Sequence, residues 1–138
     1  MTAYELTELT INAMNRLDAS WALFLSVHAA LFGGIVYIDR PLKRTEKAVL
    51  IMAYGTVAFY NYYLIRISQK LLSGLYQDLA EIQEIQKLEL HTLEFFNQFS
   101  QSAWGWASHA FTITVHMIAL VVVVSAIILD GTLKQNKT

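Results

Sequence analysis

Three histidines lie inside long uncharged stretches of this 138-residue chain, at spacings that can support chemistry. His28 lies in the first stretch, and His116 follows His109 by seven residues in the third. His109, Thr112 and His116 fall on one side of a helix. Neutral imidazoles are common metal ligands, and two of them can hold a haem iron from both sides. A strongly coordinating side chain in an apolar segment is therefore a functional-site hypothesis.

Several interpretations of these histidines remain open. Cofactor binding would involve His28, His116 and Tyr60, with haem or a transition metal as the cofactor. A metal ion alone would take His28, His109 and His116. The same groups can hydrogen-bond a quinone carbonyl or relay protons. In the plain alternative, each histidine hydrogen-bonds a neighbouring side chain or backbone carbonyl and fixes the packing of the helices.

Three uncharged stretches must position these residues, at 19–38, 48–65 and 95–129. A helix crosses a bilayer with about 20 apolar residues, and a charge at mid-membrane is expensive. Of the residues, 55% are hydrophobic and 15% are charged, against about 25% charged in an average soluble domain. We therefore predict an all-α integral membrane protein with three transmembrane helices, at about 19–38, 47–66 and 109–129.

Amphipathic segments flank the predicted spans at 3–18 and 67–108, where they would extend the helices into a bundle outside the membrane. The whole chain, 1–138, then forms a single three-helix domain. We expect helices at about 3–38, 41–83 and 90–130.

Two connections would join these helices. Asp39 is expected to cap the second helix, with Pro41 in its first turn. The turn before the third helix is expected within 81–91, at about 84–90, and the alternative is a bend near Ser73 and Gly74.

Charge distribution predicts the orientation of the chain. The loop at 39–47 holds four basic residues in nine, and the C-terminal tail adds Lys134 and Lys137. The positive-inside rule places both on the cytoplasmic side and the N-terminus outside. The expected location is a bacterial inner membrane.

Small residues recur at every fourth position of the first span, at Ala22, Ser26, Ala30 and Gly34, which we call the small-residue stripe. Such spacing lets helix backbones approach closely, and this packing drives helix association in lipid. The stripe predicts either an oligomer seam or internal packing against another span. His28 lies about 200° around the helix from Ser26, so it faces away from the stripe.

Several function classes are disfavoured by composition and motifs. The chain has no cysteine, which excludes disulfides and thiolate chemistry. No phosphate-binding glycine loop, nucleophile elbow or zinc-protease helix occurs, so we do not expect an enzyme. The net charge of −1, without a basic patch, argues against a nucleic-acid partner.

Three functional hypotheses remain. The first is a non-enzymatic membrane protein that acts by helix–helix association, as a homo-oligomer or as an accessory subunit of a larger membrane complex. The second is a cofactor- or metal-binding membrane subunit that uses His28 and His116. The third is an oligomeric ion or proton channel. Membrane lipid is an expected partner in all three.

Overall fold

The computed structural model is a bundle of three long helices and describes residues 2–38, 40–86 and 108–135. The helices are α1 (Ala3–Tyr37), α2 (Arg44–Gln86) and α3 (His109–Gln135). Within these ranges no strand occurs, which confirms the predicted all-α class. All three helices are long and apolar enough to cross a membrane, as predicted.

The first helix begins at a capping box. The Thr2 hydroxyl accepts the Glu5 N–H at 3.2 Å, and the Glu5 carboxylate accepts the Thr2 N–H at 2.8 Å. Two backbone donors that a helix start leaves unpaired are thereby satisfied. No proline interrupts the helix that follows, and α1 runs unbroken from Ala3 to Tyr37. The predicted joining of the amphipathic segment to the first span is confirmed.

The start of α2 differs from the prediction. The helix begins at Arg44, so Pro41 lies before it and not in its first turn. The Glu46 carboxylate accepts the backbone N–H of Lys43 at 2.8 Å, which caps the helix at this later position. The predicted cap, Asp39, lies outside the described residues.

The C-terminal end of α2 overlaps the beginning of the turn predicted at 84–90. The helix continues without a break through Ser73 and Gly74 to Gln86, so the alternative bend at those two residues does not occur. Most of the predicted turn at 84–90, and the outer part of the third helix, fall on residues 87–107, outside the described residues. At its other end α3 extends past residue 130 to Gln135.

The helices form an up-down-up bundle in which α1 packs most extensively on α2 and least on α3. Two apolar clusters hold it together. The outer cluster joins the outer halves of α1 and α2 and contains Leu6, Ala13, Leu17, Ile65, Leu72, Leu75, Tyr76 and Leu79. The inner cluster lies near the α1–α2 loop, with Leu42, Tyr54, Val123 and Ile127 at its centre. Close packing of these side chains stabilises both ends of the bundle.

Candidate functional site

Between the two clusters lies a layer of rings from all three helices, which contact one another edge-on or at a tilt. This aromatic layer consists of Trp21, Phe24, His28, Tyr54, Tyr62 and His116. It is positioned by the antiparallel pairing of α1 with α2, because residues later in α1 meet residues earlier in α2. His28 and His116, two of the three histidines that the sequence singled out, belong to it.

Both ring nitrogens of His28 are engaged. Its Nδ1 lies 2.6 Å from the carbonyl oxygen of Phe24, and its Nε2 lies 2.8 Å from the Tyr54 hydroxyl oxygen. A carbonyl only accepts, so Nδ1 carries the hydrogen and donates it. In the neutral ring Nε2 is then an acceptor for the Tyr54 hydroxyl. His28 thus ties α1 to α2 and has no nitrogen free to coordinate a metal without breaking a hydrogen bond.

His116 is engaged on one side only. Its Nδ1 donates to the carbonyl oxygen of Thr112 at 2.8 Å, which fixes the hydrogen on Nδ1. Its Nε2 is buried, and among the described residues no group lies within hydrogen-bond distance of it. A buried acceptor without a partner costs about 1–3 kcal/mol. His116 therefore presents one unused lone pair inside the bundle.

The ring of Phe24 brings the two histidines near each other. Its centroid lies 4.2 Å from the His28 ring and 4.7 Å from the His116 ring. The rings of Trp21 and Tyr62 also pack on His116, at 6.0 Å and 5.5 Å. Both histidine rings therefore pack against the same phenylalanine.

The other predicted site residues lie elsewhere. Tyr60 is 59% exposed, and the hydroxyl that reaches His28 belongs to Tyr54. His109 is the exposed first residue of α3. In residues 2–38, 40–86 and 108–135, no three His, Asp or Glu side chains converge where a metal ion could bind. The structure thus does not bring the predicted metal set together.

Two further buried polar links, which the sequence did not single out, hold the helices in register. The Asn61 amide donates to the Ser20 carbonyl at 2.9 Å, and the Gln69 amide donates to the Thr112 hydroxyl at 2.7 Å. Asn61 and Gln69 are 2% and 5% exposed. The sequence could have indicated Asn61 as such a link, because it is an amide within an uncharged stretch and polar side chains commonly link membrane helices.

A carboxylate closes the inner end of the bundle. Asp130 is 1% exposed, and its Oδ2 accepts the backbone N–H of Leu42 at 2.8 Å. Beside it, the Lys47 ammonium donates to the carbonyl oxygen of Ile128 at 2.7 Å, near the end of α3. Together these contacts attach the α1–α2 loop, through Leu42, and the first turn of α2, through Lys47, to α3.

An apolar groove runs between α2 and α3 and is lined in part by His116. We call it the His116 groove; its volume is about 330 Å³, and it is lined by Gly55, Ala58, Phe59, Tyr62, Ile113, His116, Met117 and Leu120. This volume lies at the lower end of the range for small-molecule sites.

The small-residue stripe is exposed along its whole length, so it does not pack against the described parts of α2 and α3. Ala22, Ser26, Ala30 and Gly34 all lie on the outer surface of α1. The Ser26 hydroxyl donates to the Ala22 carbonyl at 2.8 Å, so the stripe's hydroxyl is satisfied within its own helix. Rotation of α1 directs Phe24 and His28 inward and leaves the stripe outside.

Comparison of the chain with protein-family models, curated proteins and solved structures gives no match.

Proposed function

We propose that the protein is a small, non-enzymatic integral membrane protein that acts by helix–helix association, either with itself or as an accessory subunit of a membrane complex. The observation that carries the proposal is the exposure of the small-residue stripe on α1. In the most apolar 18-residue window of α1 only 6% of residues are buried, against 17% in α2 and 22% in α3. Among the described residues, the apolar window of the helix best suited to close packing is thus the least buried of the three.

The surface of the stripe is suited to contact with a second helix. Small side chains let a second backbone approach closely. The resulting van der Waals contacts favour helix association in lipid, where the hydrophobic effect supplies no driving force. A Cβ added at Gly34 meets no atom of the described residues within 4 Å, so that side of α1 has room for a neighbour. A single internal hydrogen bond satisfies Ser26. The stripe therefore presents no unpaired hydroxyl to a neighbouring helix.

The proposal includes a location and an orientation. The basic loop at 39–47 and the C-terminus would lie in the cytoplasm of a bacterial cell, with the N-terminus outside the inner membrane. Because the chain has no cysteine, single cysteines report orientation without background. Glu8→Cys should react with a membrane-impermeant maleimide on intact spheroplasts, and Lys134→Cys only after the membrane is opened. The reverse pattern would overturn the orientation.

Association is tested by disulfide crosslinking in native membranes. Self-association predicts that Ser26→Cys forms a crosslinked dimer under mild oxidation. Met52→Cys is the matched control, because Met52 is 74% exposed on α2, away from the stripe. A photo-crosslinker at Ser26 captures a different chain if the protein is an accessory subunit. A monomer that yields neither product at Ser26 contradicts the proposal.

A further inference from the structure

We propose that a groove between the outer halves of α1 and α2 binds an anionic phospholipid, whose phosphate pairs with the guanidinium of Arg16. This Arg16 groove has a volume of about 500 Å³, and its walls include Asn12, Asn15 and Arg16 of α1 and Leu71 and Leu75 of α2. The inference goes beyond the proposed function. It assumes that α1 crosses a bilayer, and it does not depend on association through the small-residue stripe.

The charge of Arg16 has no partner within the part of the chain that the structure describes. The residue is exposed on α1, and its guanidinium makes no ion pair or hydrogen bond there. The acid nearest to it in sequence, Asp18, lies about 200° around the helix and lines a different cavity, between α1 and α3. Arg16 therefore offers its N–H donors to a ligand, and a guanidinium pairs bidentately with a phosphate.

The position of Arg16 along α1 matches the depth of phospholipid headgroups. The uncharged stretch at 19–38 rises about 29 Å as a helix, close to the ~30 Å thickness of the hydrocarbon core of a bilayer. Arg16 comes three residues before this stretch, so its Cα would lie about 4.5 Å outside the hydrocarbon core. Lipid phosphates lie in this layer, which makes them the anions closest to Arg16.

The other polar walls of the groove favour a headgroup that carries hydroxyls and no positive charge. The amides of Asn12 and Asn15 can donate to a phosphate oxygen and accept from a hydroxyl. The residues that line the groove, all of them described, include no carboxylate. The ammonium of an ethanolamine headgroup would therefore find no anionic partner there and would be repelled by Arg16. Phosphatidylglycerol suits this groove better than phosphatidylethanolamine.

Apolar side chains continue from the groove toward the membrane interior. Leu23 lies seven residues after Arg16 on the same side of α1 and is 43% exposed. On α2, Ile67 lies four residues before Leu71 and is 46% exposed. Both can contact the acyl chains of a lipid whose phosphate lies at Arg16. The order of polar and apolar side chains along the helices thus follows the order of groups within a phospholipid.

The test is native mass spectrometry of the full chain, released from detergent micelles that contain equal amounts of dioleoyl-phosphatidylglycerol and dioleoyl-phosphatidylethanolamine. The adduct mass identifies the bound lipid, and we expect phosphatidylglycerol to predominate. Arg16→Gln should weaken its binding by about tenfold, because a charge-assisted pair is lost. Lys70→Gln is the matched control, since Lys70 is exposed on α2 outside the groove and its loss removes the same charge. This control should bind the lipid as the wild type does.

A carboxylate placed in the groove separates pairing at Arg16 from overall charge. The carboxylate of Asn12→Asp would lie four residues before Arg16, where it can pair with the guanidinium, so this variant should lose the preference for phosphatidylglycerol. Gln77→Glu, at an exposed residue of α2 outside the groove, changes the charge equally and should keep the preference. An excess of glycerol 3-phosphate, which has no acyl chains, should not displace the lipid from the wild type.

Four results would each overturn the proposal. They are equal binding of the two lipids by the wild type, equal binding of phosphatidylglycerol by Arg16→Gln and Lys70→Gln, an unchanged preference in Asn12→Asp, and displacement by glycerol 3-phosphate, which would indicate a site for free phosphate. Crosslinking at Ser26 is unaffected by these outcomes, so the two proposals fail separately.

Discussion

His28 Nε2 and the Tyr54 hydroxyl oxygen lie 2.8 Å apart and join α1 to α2 at the boundary between the aromatic layer and the inner cluster. The bond spans 26 residues of sequence and crosses between antiparallel helices. Tyr54 is 3% exposed, so its hydroxyl has little access to other partners. The contact gives both side chains a structural role that can be measured.

Tyr54→Phe should lower the free energy of unfolding by about 0.5–1.5 kcal/mol, because it removes the hydrogen that His28 Nε2 accepts. The measurement is unfolding in mixed micelles with increasing denaturing detergent. Tyr60→Phe is the control, since Tyr60 is 59% exposed and removal of its hydroxyl should leave the midpoint unchanged. Equal midpoints for the two variants would show that the His28–Tyr54 bond adds no stability.

Thr112→Val should also destabilise the bundle, by about 1 kcal/mol, because it removes the hydroxyl that accepts the Gln69 amide without changing the side-chain volume much. Thr112 is fully buried, so water cannot replace the lost acceptor. Thr114→Val on the same helix is the comparison, and the same unfolding assay applies. A larger loss at Thr114 than at Thr112 would argue against the Gln69 link.

At Asp130, the shape of the side chain should matter more than its charge for the contact with Leu42. Asp130→Asn keeps an oxygen that can accept the Leu42 N–H, whereas Asp130→Ala leaves that buried N–H without its acceptor at a cost of about 1–3 kcal/mol. Asp78→Ala, at an exposed residue of α2, controls for loss of a carboxylate. In thermal unfolding, we expect similar midpoints for the wild type and Asp130→Asn and a lower midpoint for Asp130→Ala. If Asn and Ala are equally destabilising, the charge itself is required.

Acid should weaken the α1–α2 loop. Hydrogen bonds from the Arg40 guanidinium, and then from the Lys43 backbone N–H, lower the pKa of Glu46 from 4.5 to about 2. A lowered pKa means that the stabilisation is complete above pH 4.5 and is lost as the pH falls toward 2. The unfolding midpoint of the wild type should therefore fall more steeply over this interval than that of Glu46→Gln. Glu8→Gln, at an exposed residue of α1, should keep the wild-type slope, and parallel profiles for wild type and Glu46→Gln would contradict the assignment.

The sequence determined the helices, because the properties that define them are local. Long apolar stretches without charge predict three helices able to cross a membrane, and all three are present. The capping box of Thr2 and Glu5 depends on residues three apart, so the start of α1 was also accessible. The start of α2 was predicted too early, because its cap is Lys43 with Glu46, and Leu42 is held by Asp130, 88 residues away.

Only the tertiary structure decided which polar groups meet. Tyr54 and Tyr60 both lie in the apolar part of α2, so the sequence does not show which of them reaches His28. The register of α2 against α1 decides that it is Tyr54. Whether the small-residue stripe is buried depends on the rotation of α1, which Phe24 and His28 fix by packing inward. The contacts of the His116 ring with Trp21, Phe24 and Tyr62 are likewise a product of three helices meeting. Register and rotation are set by long-range contacts, whereas helix formation is set by neighbours along the chain.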